Sequence, residues 1–66
     1  MKAYKVESGT KVIVTDNNIK TPPGSLPIET GDEITIYRLD GMYCNGINNN
    51  GDRIYIAALT DVKIQK

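Results

Sequence analysis

Sixty-six residues suffice for one domain, 1–66, and a chain this short buries only about 60% of the surface its unfolded form exposes, leaving roughly 3–5 kcal/mol from a single core. Eight Lys and Arg cancel eight Asp and Glu, which weakens any long-range field toward nucleic acid or an anionic membrane. The single cysteine, Cys44, and the lack of histidine exclude an intrachain disulfide and a tetrahedral zinc set, and leave no imidazole to activate a thiol nucleophile.

The start, Met1-Lys2-Ala3-Tyr4-Lys5, leads into no apolar run of signal-peptide or membrane-spanning length, so a soluble, cytoplasmic protein with no membrane partner is expected. One cysteine agrees with a reducing compartment. Abundant Ile, Asn and Lys point to an AT-rich genome, such as that of a bacterium or phage. Short β-branched and aromatic runs separated by turn residues predict an all-β fold, with strands at about residues 3–6, 11–15, 33–39, 42–48, 53–57 and 62–64.

Between Asp16 and Thr30 the density of breakers, Asn17-Asn18, Pro22-Pro23-Gly24 and Pro27, predicts a long loop. It reads either as a binding loop or as a structural arm held by Ile19, Leu26 and Ile28. Gly31-Asp32 turns the chain into Glu33 to Tyr37, whose alternation sends Ile34 and Ile36 inward and Tyr37 outward. Glu29, Asp32 and Glu33 form the densest acidic group; they supply too few oxygens at alternating positions for calcium and read as a solvated strand entrance.

Asp40-Gly41 makes a short connection to the next strand. The clearest signal follows, Asn48-Asn49-Asn50-Gly51-Asp52 between two strand-like runs. With Asn50-Gly51 at the centre of a two-residue turn, Ile47 pairs with Ile54 and Asn45 with Ile56. That register sends Tyr43, Asn45, Ile47, Ile54 and Ile56 to the core, and Cys44, Gly46, Arg53, Tyr55 and Ala57 to the other face. Asn45 is then an amide in a small core that must find partners. Ala58 to Asp61 is short enough for a single helical turn before the last strand.

The order of these features, long loop, Gly31-Asp32, strand, Asp40-Gly41-Met42-Tyr43, Asn-Gly hairpin, Tyr55-Ile56, one turn and Val62-Lys63-Ile64, resembles SH3-like barrels, bacterial SH3 domains most of all. The resemblance covers about residues 22–64. It implies a small SH3-like barrel of five to six short antiparallel strands with one helical turn before the last. Eukaryotic members bind polyproline between stacked aromatics. By the resemblance Tyr43 stands near a groove Trp, whereas Ala58 and Asp61 replace the groove Pro and Tyr, which counts against proline-rich ligands.

No cofactor, metal or catalytic set is read from the chain. Four tyrosines are the only aromatic residues, each an apolar body with a polar tip suited to contact. Function is therefore expected from a stand-alone binding module that docks on a larger protein as adaptor, inhibitor or regulator, through Tyr37, Tyr43, Arg53, Tyr55 and the long loop. The alternative is a nucleic-acid-binding barrel resembling the KOW and Tudor groups, in which Lys2, Tyr4, Lys5, Lys11 and Lys63 converge. Self-association through open sheet edges is a third reading, opposed by lysines expected on those edges.

Overall fold

The computed structural model describes residues 1–65. A 3-10 turn, η1 (Ala3–Lys5), precedes five strands, β1 (Thr10–Val14), β2 (Glu33–Asp40), β3 (Tyr43–Asn48), β4 (Arg53–Ala57) and β5 (Val62–Ile64). All pair antiparallel in one sheet of order β4-β3-β2-β1-β5. The fold is all-β, as expected. The last two strands have the predicted bounds, and the others begin or end within one residue of them. Before β5, the expected helical turn is instead a single hydrogen-bonded turn, Thr60 N–H to the Ala57 carbonyl at 3.0 Å, and the 3-10 turn lies at Ala3–Lys5.

One face of the curled sheet makes the core. Val12 and Val14 from β1, Ile34 and Ile36 from β2, Cys44 from β3, Ile54 and Ile56 from β4 and Val62 from β5 are all buried there, with Ala3 over one end. Burial pushes the Cys44 thiol above its ordinary pKa, so it stays a neutral apolar filler.

Residues 3–6 do not form a strand. Lys5 and Val6 N–H bond the Lys2 and Ala3 carbonyls, closing η1, while Ala3 and Tyr4 N–H bond Thr60 and Ala58. The strand-like composition is overridden because Met1 already lies along β5, with Val62 N–H on the Met1 carbonyl at 2.8 Å and Lys2 bridged to Asp61.

The β3–β4 hairpin corrects the predicted register. Ile47 pairs with Arg53, Asn45 with Tyr55 and Cys44 with Ile56, so Cys44 and Gly46 face the core and Tyr43, Asn45 and Ile47 face away. The cause is the loop. Asn48 Oδ1 accepts both the Asn50 N–H at 2.9 Å and the Asp52 N–H at 3.0 Å, and Gly51 takes the left-handed conformation with φ 83°. The connection thereby grows to three residues, Asn49 to Gly51, of the turn-plus-left-handed-glycine kind. Lengthening a loop by one residue reverses one strand rather than both, so Tyr43, Asn45 and Ile47 leave the core while Ile54 and Ile56 keep their places in it. Asn45 needs no buried partner.

Gly46 sits beside a bulge in the neighbouring strand. β2 carries one extra residue between the Ile36↔Gly46 and Arg38↔Asn45 pairs, a bulge at Tyr37. A Cβ on Gly46 would collide with the Thr35 carbonyl oxygen. Only glycine allows β2 to close down on β3 at that point.

Strand pairing does not close the sheet into a barrel. The long connection covers the gap instead: the Ala57 N–H donates to the Lys20 carbonyl at 2.9 Å, and the Ser25 hydroxyl both accepts from the Tyr55 N–H at 3.1 Å and donates to the Tyr55 carbonyl at 3.2 Å. Ile19 and Ile28 pack against the core from this segment, whereas Leu26, expected beside them, is exposed.

Replacing Gly46 with Ala should cost about 3 kcal/mol, enough to leave much of the population unfolded, while Asn45→Ala should cost about 1 kcal/mol or less. Urea midpoints of the two variants check this; equal midpoints would refute the close approach.

Candidate functional site

A groove of about 630 Å³ lies between the long connection, the β2–β3 turn and the segment from β4 to β5. Its apolar floor is Tyr43 and Ala57, paired across β3 and β4, together with Met42, Ala58 and Leu59. Leu59 is 65% exposed. Met42 is carried there by the two-residue connection after Asp40, where Gly41 supplies φ 65° at the first central position. The Ala58 N–H bonds the Met42 carbonyl at 2.8 Å, tying the two walls together.

The rim is charged. Lys2 and Asp61 form an ion pair at 2.7 Å, and Asp16 and Lys20 stand on the long connection. Asp16 organises this rim: its carboxylate accepts the Asp61 N–H at 3.0 Å and the Asn18 N–H at 2.8 Å, and its carbonyl accepts the Thr30 hydroxyl at 2.6 Å. The bonds from Asp61 and Asn18, with Lys2 nearby, hold the Asp16 carboxyl below its ordinary pKa.

Of the four contact residues predicted by name, Tyr43 lines the groove, beside Asp16, Asn18 and Lys20 of the long loop. Tyr37 is exposed at the bulge, Arg53 is exposed opposite Ile47 on the outer face, and Tyr55 is half-buried with its backbone bonded by Ser25. Sequence reasoning missed Met42 and Leu59. Their signal was an apolar side chain standing in a connection, where strand alternation had no use for it.

The alternative cationic set spans the N-terminal turn and the paired strands β1 and β5. Lys2 is engaged by Asp61, Lys5 lies 5.8 Å from the Tyr4 ring centre, and Lys11 and Lys63 belong to β1 and β5. Lys11 is on a central strand, not an edge.

The acidic group at the β2 entrance is occupied structurally. Asp32 accepts the Glu29 N–H at 2.9 Å; Glu33 accepts Asn49 Nδ2 at 3.0 Å and Gln65 Nε2 at 2.8 Å, which with Lys11 lower its pKa. Among the described residues no group of three or more His, Cys, Asp or Glu is arranged to hold a metal ion, and no helix is long and apolar enough to cross a membrane. Comparison with protein-family models, curated proteins and solved structures returns no match.

Asp16 and Glu33 both have folded pKa values below their ordinary values of 3.8 and 4.5. Below those values the unfolded chain takes up protons first, so the stabilisation is fully present above about pH 5 and is lost as pH falls through the folded values. Denaturant midpoints should be level from pH 7 to about pH 5 and fall in acid, with a shallower acid limb in Asp16→Asn and Glu33→Gln. An acid limb identical in both variants would contradict these hydrogen bonds.

Proposed function

We propose that the protein is a binding module of SH3-like architecture that docks on a larger protein as adaptor, inhibitor or regulator, without catalysis, and that the docking site is the groove. The observation that carries this reading is an apolar floor open to solvent inside a ring of charge: Tyr43, Met42 and Leu59 between the Lys2–Asp61 pair and Asp16. Apolar and aromatic surface of that kind gains most from being covered, and a charged rim sets orientation.

Support for the SH3-like part is positional: Tyr43, Ala58 and Asp61, the positions that the resemblance assigns to the ligand groove, line the same groove. The proposal keeps Tyr43 from the expected contact set and adds Met42 and Leu59. Nucleic-acid binding is the weaker reading, since Lys2 is already engaged by Asp61 and the net charge is zero.

A photo-crosslinking side chain at Leu59 should capture a specific protein in the source cell, one at Asn50 on the hairpin tip should not, and Tyr43→Ala should lower capture from Leu59 about tenfold or more with the fold intact. Equal capture from both positions, or capture indifferent to Tyr43, would overturn the assignment.

A further inference from the structure

β1 accompanies β2 only as far as Ile36, which pairs with Thr10 and accepts the Gly9 N–H at 2.7 Å. Beyond the bulge, β2 is paired on one side alone, by β3, through Arg38↔Asn45, Leu39↔Cys44 and Asp40↔Tyr43. Ladder alternation decides which backbone groups face the open side. The N–H groups of Tyr55 and Ala57 point away from β3 to the long connection, so Ile54 and Ile56 face β3 and bond Gly46 and Cys44. Tyr43 and Asn45 therefore turn toward β2 and meet Asp40 and Arg38. Leu39, between those two, points its N–H and C=O outward, where neither has a backbone partner among the described residues.

The other outer edges are covered in part. Lys20 and Ser25 cover β4, and Met1 covers β5 at Val62. Around Leu39 the chain instead exposes apolar surface: Leu39 is 51% exposed and Tyr37 42%. A bare edge with apolar flanks is a template for a further strand.

We propose that this edge is a two-fold interface between two copies of the chain, antiparallel and centred on Leu39. In that register the two Leu39 residues exchange both of their outward hydrogen bonds. Arg38 of each copy stands opposite Asp40 of the other, so the ion pair forms twice, and Tyr37 lies opposite Gly41, whose missing side chain admits the ring. The sequence selects this register over its neighbours. Centring on Arg38 would oppose two arginines, and centring on Asp40 would oppose two aspartates. Zero net charge removes long-range repulsion between copies. Three paired residues bury far less than the roughly 1,200 Å² of a standard interface, so the dimer is reversible and depends on concentration.

This interface is independent of what fills the groove, and its test is different. Sedimentation equilibrium of the full chain from micromolar to millimolar concentration should show the mass rising from 7.3 kDa toward twice that value. Arg38→Asp alone and Asp40→Arg alone should each weaken association about tenfold, and the two together should restore it, because the exchanged charges are again complementary. Filtered nuclear Overhauser spectra of a mixed labelled and unlabelled sample should show Leu39 of one copy against Leu39 of the other. A mass that stays at 7.3 kDa at millimolar concentration, association indifferent to the single reversals, or a folded double variant that fails to recover would each overturn the proposal.

Discussion

The close approach of β2 to β3 at Gly46, one residue before the bulge at Tyr37, is the constraint on which the other features depend. Without a side chain at Gly46 the Thr35 carbonyl can lie over β3, and the bulge then adds the twist that a five-stranded sheet needs to fold over its own core. Two consequences follow. Ile34 and Ile36 meet Ile54 and Ile56 over a β3 whose inward residues, Cys44 and Gly46, are small enough to leave them room. The outer half of β2 leaves β1 and presents Leu39 to solvent.

The long connection replaces what a sixth strand would provide. Lys20 and Ser25 satisfy the outward backbone of β4 at Ala57 and Tyr55, and Asp16 ties the start of the connection to Asp61 ahead of β5 and to Thr30 at the connection's other end. A serine hydroxyl that both accepts from and donates to one residue behaves as a strand residue would, so the segment needs no regular ladder. The hydrogen bonds of this stretch are those of a structural arm, covering the outer side of β4, and Asp16, Asn18 and Lys20 on the same stretch line the groove. A groove wall held by backbone bonds is already ordered, which would reduce the entropy cost of docking for the partner proposed above.

Strand positions were legible because β-branched runs and Gly or Pro breakers report local geometry. The faces of Ile34, Ile36, Ile54 and Ile56 followed from alternation alone. The face of β3 did not. Asn-Gly signals a tight turn but not its length, and the length was decided by Asn48, whose side chain captures two loop amides. The N-terminal residues were misread for a related reason: their composition favours a strand, but pairing with β5 and Thr60 overrides it. Tyr43 was legible as a site residue through the resemblance; Met42 and Leu59 were not, because their meeting depends on the Ala58 to Met42 hydrogen bond between segments distant in sequence.

The register of β3 against β4 is the most exposed point of this account, since it decides whether Gly46 or Asn45 faces the core. Paired residues whose backbone groups point away from each other bring their α-protons close in an antiparallel ladder. Nuclear Overhauser spectra should therefore connect the α-protons of Asn45 and Tyr55 and those of Ile47 and Arg53. Cross-peaks joining Asn45 to Ile56 and Ile47 to Ile54 would place Asn45 inside, move Gly46 out from under Thr35 and contradict the architecture described.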